Sequence, residues 1–235
     1  LPAGPIQVVP RVTEEIVYLS ADAEEPFAVA QANTALKPNG DIAEERVSVR
    51  RFERFLYEPA DKVGLASITA SVLRTGGSVP LPGDRMDEVL ESMGGSIESG
   101  AADLTTTIGV NVLIEDADKA LGMLRDLLLQ PAYPDDKLDL ELKQARSGIA
   151  RRNDNPGGIA SREYAKLIYG PDSVYARHAE YVTIDNITRD DMLVFHRKFY
   201  HPNNTMLAVW GDFKTEQMVA KIKEAFRDWP KGDIE

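Results

Sequence analysis

Tyr57-Glu58-Pro59-Ala60-Asp61-Lys62-Val63-Gly64-Leu65-Ala66-Ser67-Ile68-Thr69-Ala70-Ser71-Val72-Leu73-Arg74 reads as a polar loop that runs into a helix. Leu65, Ile68 and Val72 recur at spacings of three and four, which sets them on one helical face. The opposite side carries small residues, and Gly76-Gly77 is the stop, because helices commonly end on a glycine in the left-handed conformation. Upstream, Val47, Val49, Phe52, Phe55 and Tyr57 predict an extended segment beginning at Arg46.

Downstream the punctuation continues. Pro82-Gly83-Asp84 introduces a second helix over 85–93, with Met86, Val89, Leu90 and Met93 as its apolar stripe and Gly94-Gly95 at its end. Strands are expected over 96–99 and 105–113. Asp116 is the expected N-cap of a helix whose Ala117, Ala120, Leu121, Leu124 and Leu128 line one face until Pro131. Pro134-Asp135-Asp136 opens a long helix to about Asn153, Pro156-Gly157-Gly158 breaks it, and another helix covers 160–169. Thr188 and Asp191 form a capping box for a helix over 190–199. A turn at Pro202-Asn203-Asn204, a strand over 205–210 and an amphipathic helix over 215–229 complete the chain. The first 46 residues say least: Glu15 to Leu19 reads as a short strand and Pro38-Asn39-Gly40 as a turn. The sum is an α+β domain, a single sheet covered by helices on one face, with 1–46 an N-terminal segment that could add a strand and 47–235 the body of one domain.

With 27 Lys and Arg against 38 Asp and Glu, the formal net charge is −11, a field that disfavours nucleic acid and anionic lipid as partners. Absence of cysteine removes disulfides, thiolate metal sites and a Cys nucleophile, and leaves the compartment open between cytoplasm and, with a signal removed, periplasm. No apolar run approaches the roughly 18 residues of a membrane span.

Five phrases in order carry a family resemblance. They are Tyr57 to Ala66 as quoted, Gly94-Gly95-Ser96-Ile97, Leu127-Leu128-Leu129-Gln130-Pro131, Asn153-Asp154-Asn155-Pro156, and Phe199-Tyr200-His201-Pro202-Asn203-Asn204-Thr205 leading to Gly211-Asp212. Together they resemble the insulinase/pitrilysin family of zinc peptidases, whose inverted motif is His-x-x-Glu-His. The resemblance implies one half of a two-halved clamshell, of the first-half type, with the family's linker to a second half beginning near Asp228 to Gly232. In active relatives Gly-Leu-Ala is followed at once by the zinc motif, and the five positions here are Ser67-Ile68-Thr69-Ala70-Ser71. Serines thus stand at both histidine positions, and a hydroxyl is a poor zinc ligand beside imidazole. Ala70 stands where the general base would be, and a methyl group takes no proton. Counting back from Asn153-Asp154-Asn155-Pro156 puts the third ligand position at Ser147.

The resemblance therefore implies a non-catalytic member, without a cofactor of its own, that supplies chamber wall and peptide-binding surface to a zinc-bearing partner. The alternatives are a structural assembly subunit and an active zinc peptidase with an unrecognised site. In the family the strand after the Gly-Gly turn is an edge on which substrate peptide adds as an extra strand. Here that segment is Glu98, Ser99, Gly100 and Ala101, with Glu98 where active relatives have Asn. His178, His196 and His201 read as packing or surface residues, and the pairs Asp135-Asp136 and Asp190-Asp191 as acids that complement helix N-termini.

Overall fold

A computed structural model describes residues 13–20, 28–35, 45–52, 58–102 and 105–233, with the strands before residue 58 described by their backbone. The expected turn at Pro38-Asn39-Gly40, and Phe55 and Tyr57, lie outside the described residues. The elements are β1 (Thr13–Ser20), β2 (Ala28–Ala35), β3 (Glu45–Phe52), α1 (Leu65–Gly76), α2 (Gly83–Met93), β4 (Ser96–Ala102), β5 (Thr105–Val112), α3 (Ala117–Leu129), α4 (Asp135–Arg151), α5 (Pro156–Tyr169), α6 (Tyr181–Asp185), α7 (Arg189–Phe199), β6 (Thr205–Trp210) and α8 (Thr215–Ala225).

The six strands form one sheet in the order β2-β1-β6-β3-β5-β4, and every pairing is antiparallel. Burial alternates residue by residue along β5 and β6, as the two-residue period of a strand requires when only one face is covered. Ile108, Val110 and Val112 of β5 and Leu207 and Val209 of β6 enter a continuous core with the apolar stripes of α1, α2, α3 and α7. This is the helix-covered single sheet that the sequence predicts. Two elements were not foreseen. β2, Ala28-Val29-Ala30-Gln31-Ala32-Asn33-Thr34-Ala35, has little β-branched content and is recognisable only through its pairing with β1, whereas α6 is too short to show a period. The last helix also stops at Ala225, four residues early. The chain then turns so that Trp229 is buried and its indole N–H donates to the Tyr200 carbonyl at 3.2 Å.

The phrases that carry the resemblance act as joints. Asn155 caps α5, its side-chain oxygen accepting from the backbone N–H groups of Gly157 and Gly158, and Thr188 and Asp191 make the reciprocal capping box of α7. Asn203 exchanges two hydrogen bonds with Gly232. After α1, residues 77–79 pair with the end of α3: Val79 N–H donates to Gln130 O at 2.8 Å and Ala132 N–H to Gly77 O at 3.0 Å. Asp116 sits at the N-cap of α3 but makes no side-chain cap bond.

Candidate functional site

The start of α1 is held from several directions. The buried Glu58 carboxylate accepts from Ala66 N–H at 2.6 Å and Gly64 N–H at 3.2 Å, placing negative charge where the helix exposes free amides. Thr183 donates its hydroxyl to Val63 O, Asn186 reaches Asp61 O, and Lys62 pairs with Asp191 at 2.5 Å. Gly64 adopts φ 108°, and a Cβ there would stand 3.2 Å from the Cβ of Ala179. These contacts fix which face of α1 looks toward α4 and the turn before α6.

That face opens on a cleft of about 250 Å³ lined by Gly64, Ser67, Ile68, Glu141, Gln144, Ala145, Ala179 and Ile184. Ser67 is exposed into it and Ser71 is half-buried one turn on, whereas Ala70 is completely buried in the packing of α1. Ser147 is exposed on α4 and is not among the lining residues. The carboxylate that α4 does bring to the cleft is Glu141, set near the Ser71 side chain. Sequence reasoning did not single it out. The available signal was its place on α4 beside the core stripe of Leu138, Leu142 and Ala145, at the edge where that stripe meets solvent.

Burial pushes the Glu141 carboxyl above its ordinary 4.5, and the nearby Ser71 hydroxyl acts in the opposite sense. An acid with a raised folded-state pKa contributes stability below its unfolded value that is lost as pH rises through the folded one. Glu141 therefore weakens the fold at neutral pH. Glu141→Gln is expected to raise the melting temperature at pH 7 by about 2 °C and to change nothing at pH 4, as read by thermal denaturation at both pH values. Equal shifts at both would remove this account.

None of the three histidines lines the cleft. His196 is buried in the core with Nε2 2.9 Å from Leu128 O and Nδ1 3.0 Å from Tyr133 Oη. His201 faces the carbonyls of Arg197 and Pro230, and His178 approaches Glu180 at 3.0 Å. Asp135-Asp136 and Asp190-Asp191 lie in the first turns of α4 and α7. Among the described residues, no group of three or more His, Asp or Glu side chains is arranged to hold a metal ion. The cleft lining offers one serine hydroxyl, one amide and one carboxylate, with the Ser71 hydroxyl a turn further along α1, a donor set that does not fit a zinc site. The segment Glu98 to Ala101 lies on β4, which pairs only with β5 and so forms one edge of the sheet, with Glu98 and Gly100 exposed.

The family description "Insulinase (Peptidase family M16)" matches residues 56–167, and "Peptidase M16 inactive domain" matches 186–235. From residue 56 onward, the chain belongs to the insulinase family. Uncharacterized zinc proteases of Rickettsia bellii and Rickettsia felis are 24% identical over 148 residues and 21% identical over 182, covering 62% and 75% of this chain and 36% and 43% of those proteins. Among solved structures, a peptidase M16 inactive domain from Pseudomonas fluorescens superposes with a TM-score of 0.74 at 23% identity, over 83% of this chain and 48% of that one. The first half of the periplasmic protease PqqL from Escherichia coli gives 0.70 at 16%, over 82% and 43%. This insulinase-family chain thus spans less than half the length of each of these relatives.

The other end has a different likeness. Residues 6–68 match the "RNA polymerase beta subunit external 1 domain". The DNA-directed RNA polymerase subunit beta of Dehalococcoides mccartyi is 38% identical over 69 residues, 29% of this chain and 5% of that subunit. The two matches overlap at 56–68, so β1, β2 and β3 fall in the polymerase-like stretch, and α2, β4, β5, α3, α4, α7, β6 and α8 in the insulinase-like ones. The sequence reading assigned no kinship to 1–46, because that likeness lies in residue-by-residue identity rather than in a period or a motif.

Proposed function

We propose that residues 56–235 form a non-catalytic insulinase-family half that supplies chamber wall and peptide-binding surface to a zinc-bearing partner half. The observation that carries this reading is the composition of the α1 face at the cleft. Ser67 and Ser71 cannot replace a pair of imidazoles one turn apart, and Ala70, buried and without a polar atom, cannot accept a proton from water. Among the described residues Glu141 is the only carboxylate in the cleft lining, and one carboxylate cannot be both metal ligand set and base. Peptide would be held at the β4 edge by the backbone of Glu98, Ser99, Gly100 and Ala101, a mode that uses main-chain hydrogen bonds and needs no metal.

The test is hydrolysis of a quenched fluorescent peptide. The chain alone, given stoichiometric zinc, is expected to show no chelator-sensitive turnover and to hold no zinc after dialysis. An insulinase-family protein with an intact His-x-x-Glu-His is expected to turn over faster when the chain is added. Unchanged turnover at saturating chain would favour a purely structural assembly subunit. One zinc per chain with chelator-sensitive turnover would make the chain itself the peptidase.

A further inference from the structure

Helix α5 is inverted relative to its neighbours. It contributes no buried residue, yet the large apolar side chains Tyr164, Leu167 and Ile168 are 65%, 81% and 55% exposed. Gly157, Ala160, Ser161, Tyr164, Leu167 and Ile168 are all exposed and recur at spacings of three and four, so they form one stripe along the helix with no charge in it. The face toward the body combines the small Gly158 and Ala165 with two cations. There Arg162 and Lys166 are half-buried, and Arg162 donates to Arg152 O and to Asn153 Oδ1. By contrast, the exposed residues of α7 include Asp190, Arg197 and Lys198, and those of α8 include Glu216, Lys221, Lys223 and Glu224. Tyr169 and Tyr175 pack ring against ring at 5.3 Å at the end of the stripe, and Tyr175 is itself exposed.

We infer that this stripe is the docking surface for a second insulinase-family half-domain, carried either later in the same polypeptide or on a separate one. The inference rests on the proposed function above and names the surface through which that partner is met. Its ground is the meeting of two facts. An uncharged apolar helix face is the kind of patch that soluble proteins cover with a partner, and the relatives carry about as much chain again beyond the part that this one matches. Through its opposite face the helix is tied to the body near the cleft: Arg152 donates to the carbonyl of Ala179, a cleft-lining residue, and its own carbonyl holds Arg162 of α5.

The probe is the part of the Rickettsia felis zinc protease that lies outside the matched 182 residues, made as a separate polypeptide and titrated against the chain by sedimentation velocity. A one-to-one complex is expected. The double variant Leu167→Glu/Ile168→Glu is expected to weaken it by about 30-fold or more, while Lys198→Glu on α7 leaves it unchanged. Because α5 buries nothing, both variants should retain the wild-type circular dichroism. A complex indifferent to the two glutamates would overturn this surface and leave the partner reading standing. No complex with the unmodified chain would overturn the docking proposal, with the peptide assay then deciding the function separately. Self-association of the chain abolished by the same two substitutions would assign the stripe to a second copy and overturn it as well.

Discussion

Deleting residues 1–55 is expected to abolish the native fold of the remainder. β6 hydrogen-bonds only to β1 and β3, so the deletion takes both of its neighbours. β5 keeps β4 but loses β3 along the whole register from Glu45↔Val112 to Phe52↔Thr105. Leu207 and Val209 of β6 are core residues, and a lone strand cannot hold them there while its amides and carbonyls on both sides lack partners. The loss should equal the whole native stability, about 5 to 15 kcal/mol for a domain of this kind, and the bare edges of β5 and β6 should drive aggregation. The measurement is urea denaturation followed by far-UV circular dichroism, with gel filtration alongside. The intact chain should unfold cooperatively, and the 56–235 fragment should show no cooperative transition and elute as aggregate. A fragment that unfolds cooperatively near the midpoint of the intact chain would show that the polymerase-like stretch is an appendage rather than part of the sheet.

The second large effect is expected at a contact between two helices. Gly83 opens α2 against the last turn of α1 so closely that a Cβ would stand 1.8 Å from the Thr75 carbonyl oxygen and 2.7 Å from its carbon. Both are backbone atoms, and no rotamer change relieves the overlap. Gly77 meets Gly83 from the other side, its own imagined Cβ 2.4 Å from the Gly83 nitrogen, and takes φ +71°, a value that side chains resist. Gly83→Ala must therefore push α2 away from α1, opening the packing of Met86 and Leu90 against Val72 and Leu73, all buried. Overpacking of this kind against rigid backbone is expected to cost about 3 kcal/mol or more, measured as the shift in unfolding free energy in urea. A loss below about 1 kcal/mol would mean that the α1–α2 connection is looser than the structure has it.

Glu141 shows why the site was harder to read than the fold. The motif count leads to Ser147, a position defined along the chain, whereas the cleft is defined across it: the residues of α4 that meet Ser67 and Ser71 are those whose helical phase points at α1. Phase is set by how α4 lies on the core through Leu138, Leu142 and Ala145. A serine that follows in the right sequence position can still end on the solvent side.

What the sequence alone determined is local. Apolar spacing of three and four marked α1, α2 and α3, and a capping box marked where α7 begins, because these depend on residues within one or two turns of each other. The substitution of serine and alanine in the helix after Gly64-Leu65-Ala66 was legible for the same reason. Only the tertiary structure decided which strands lie side by side, because antiparallel pairing joins residues as far apart as Val17 and Val209 through backbone atoms that every sequence shares. It alone placed Glu141 against Ser71, Gly83 against Thr75, and the uncharged stripe of α5 toward solvent. Each of these is a relation between surfaces, and no single segment encodes the surface it will meet.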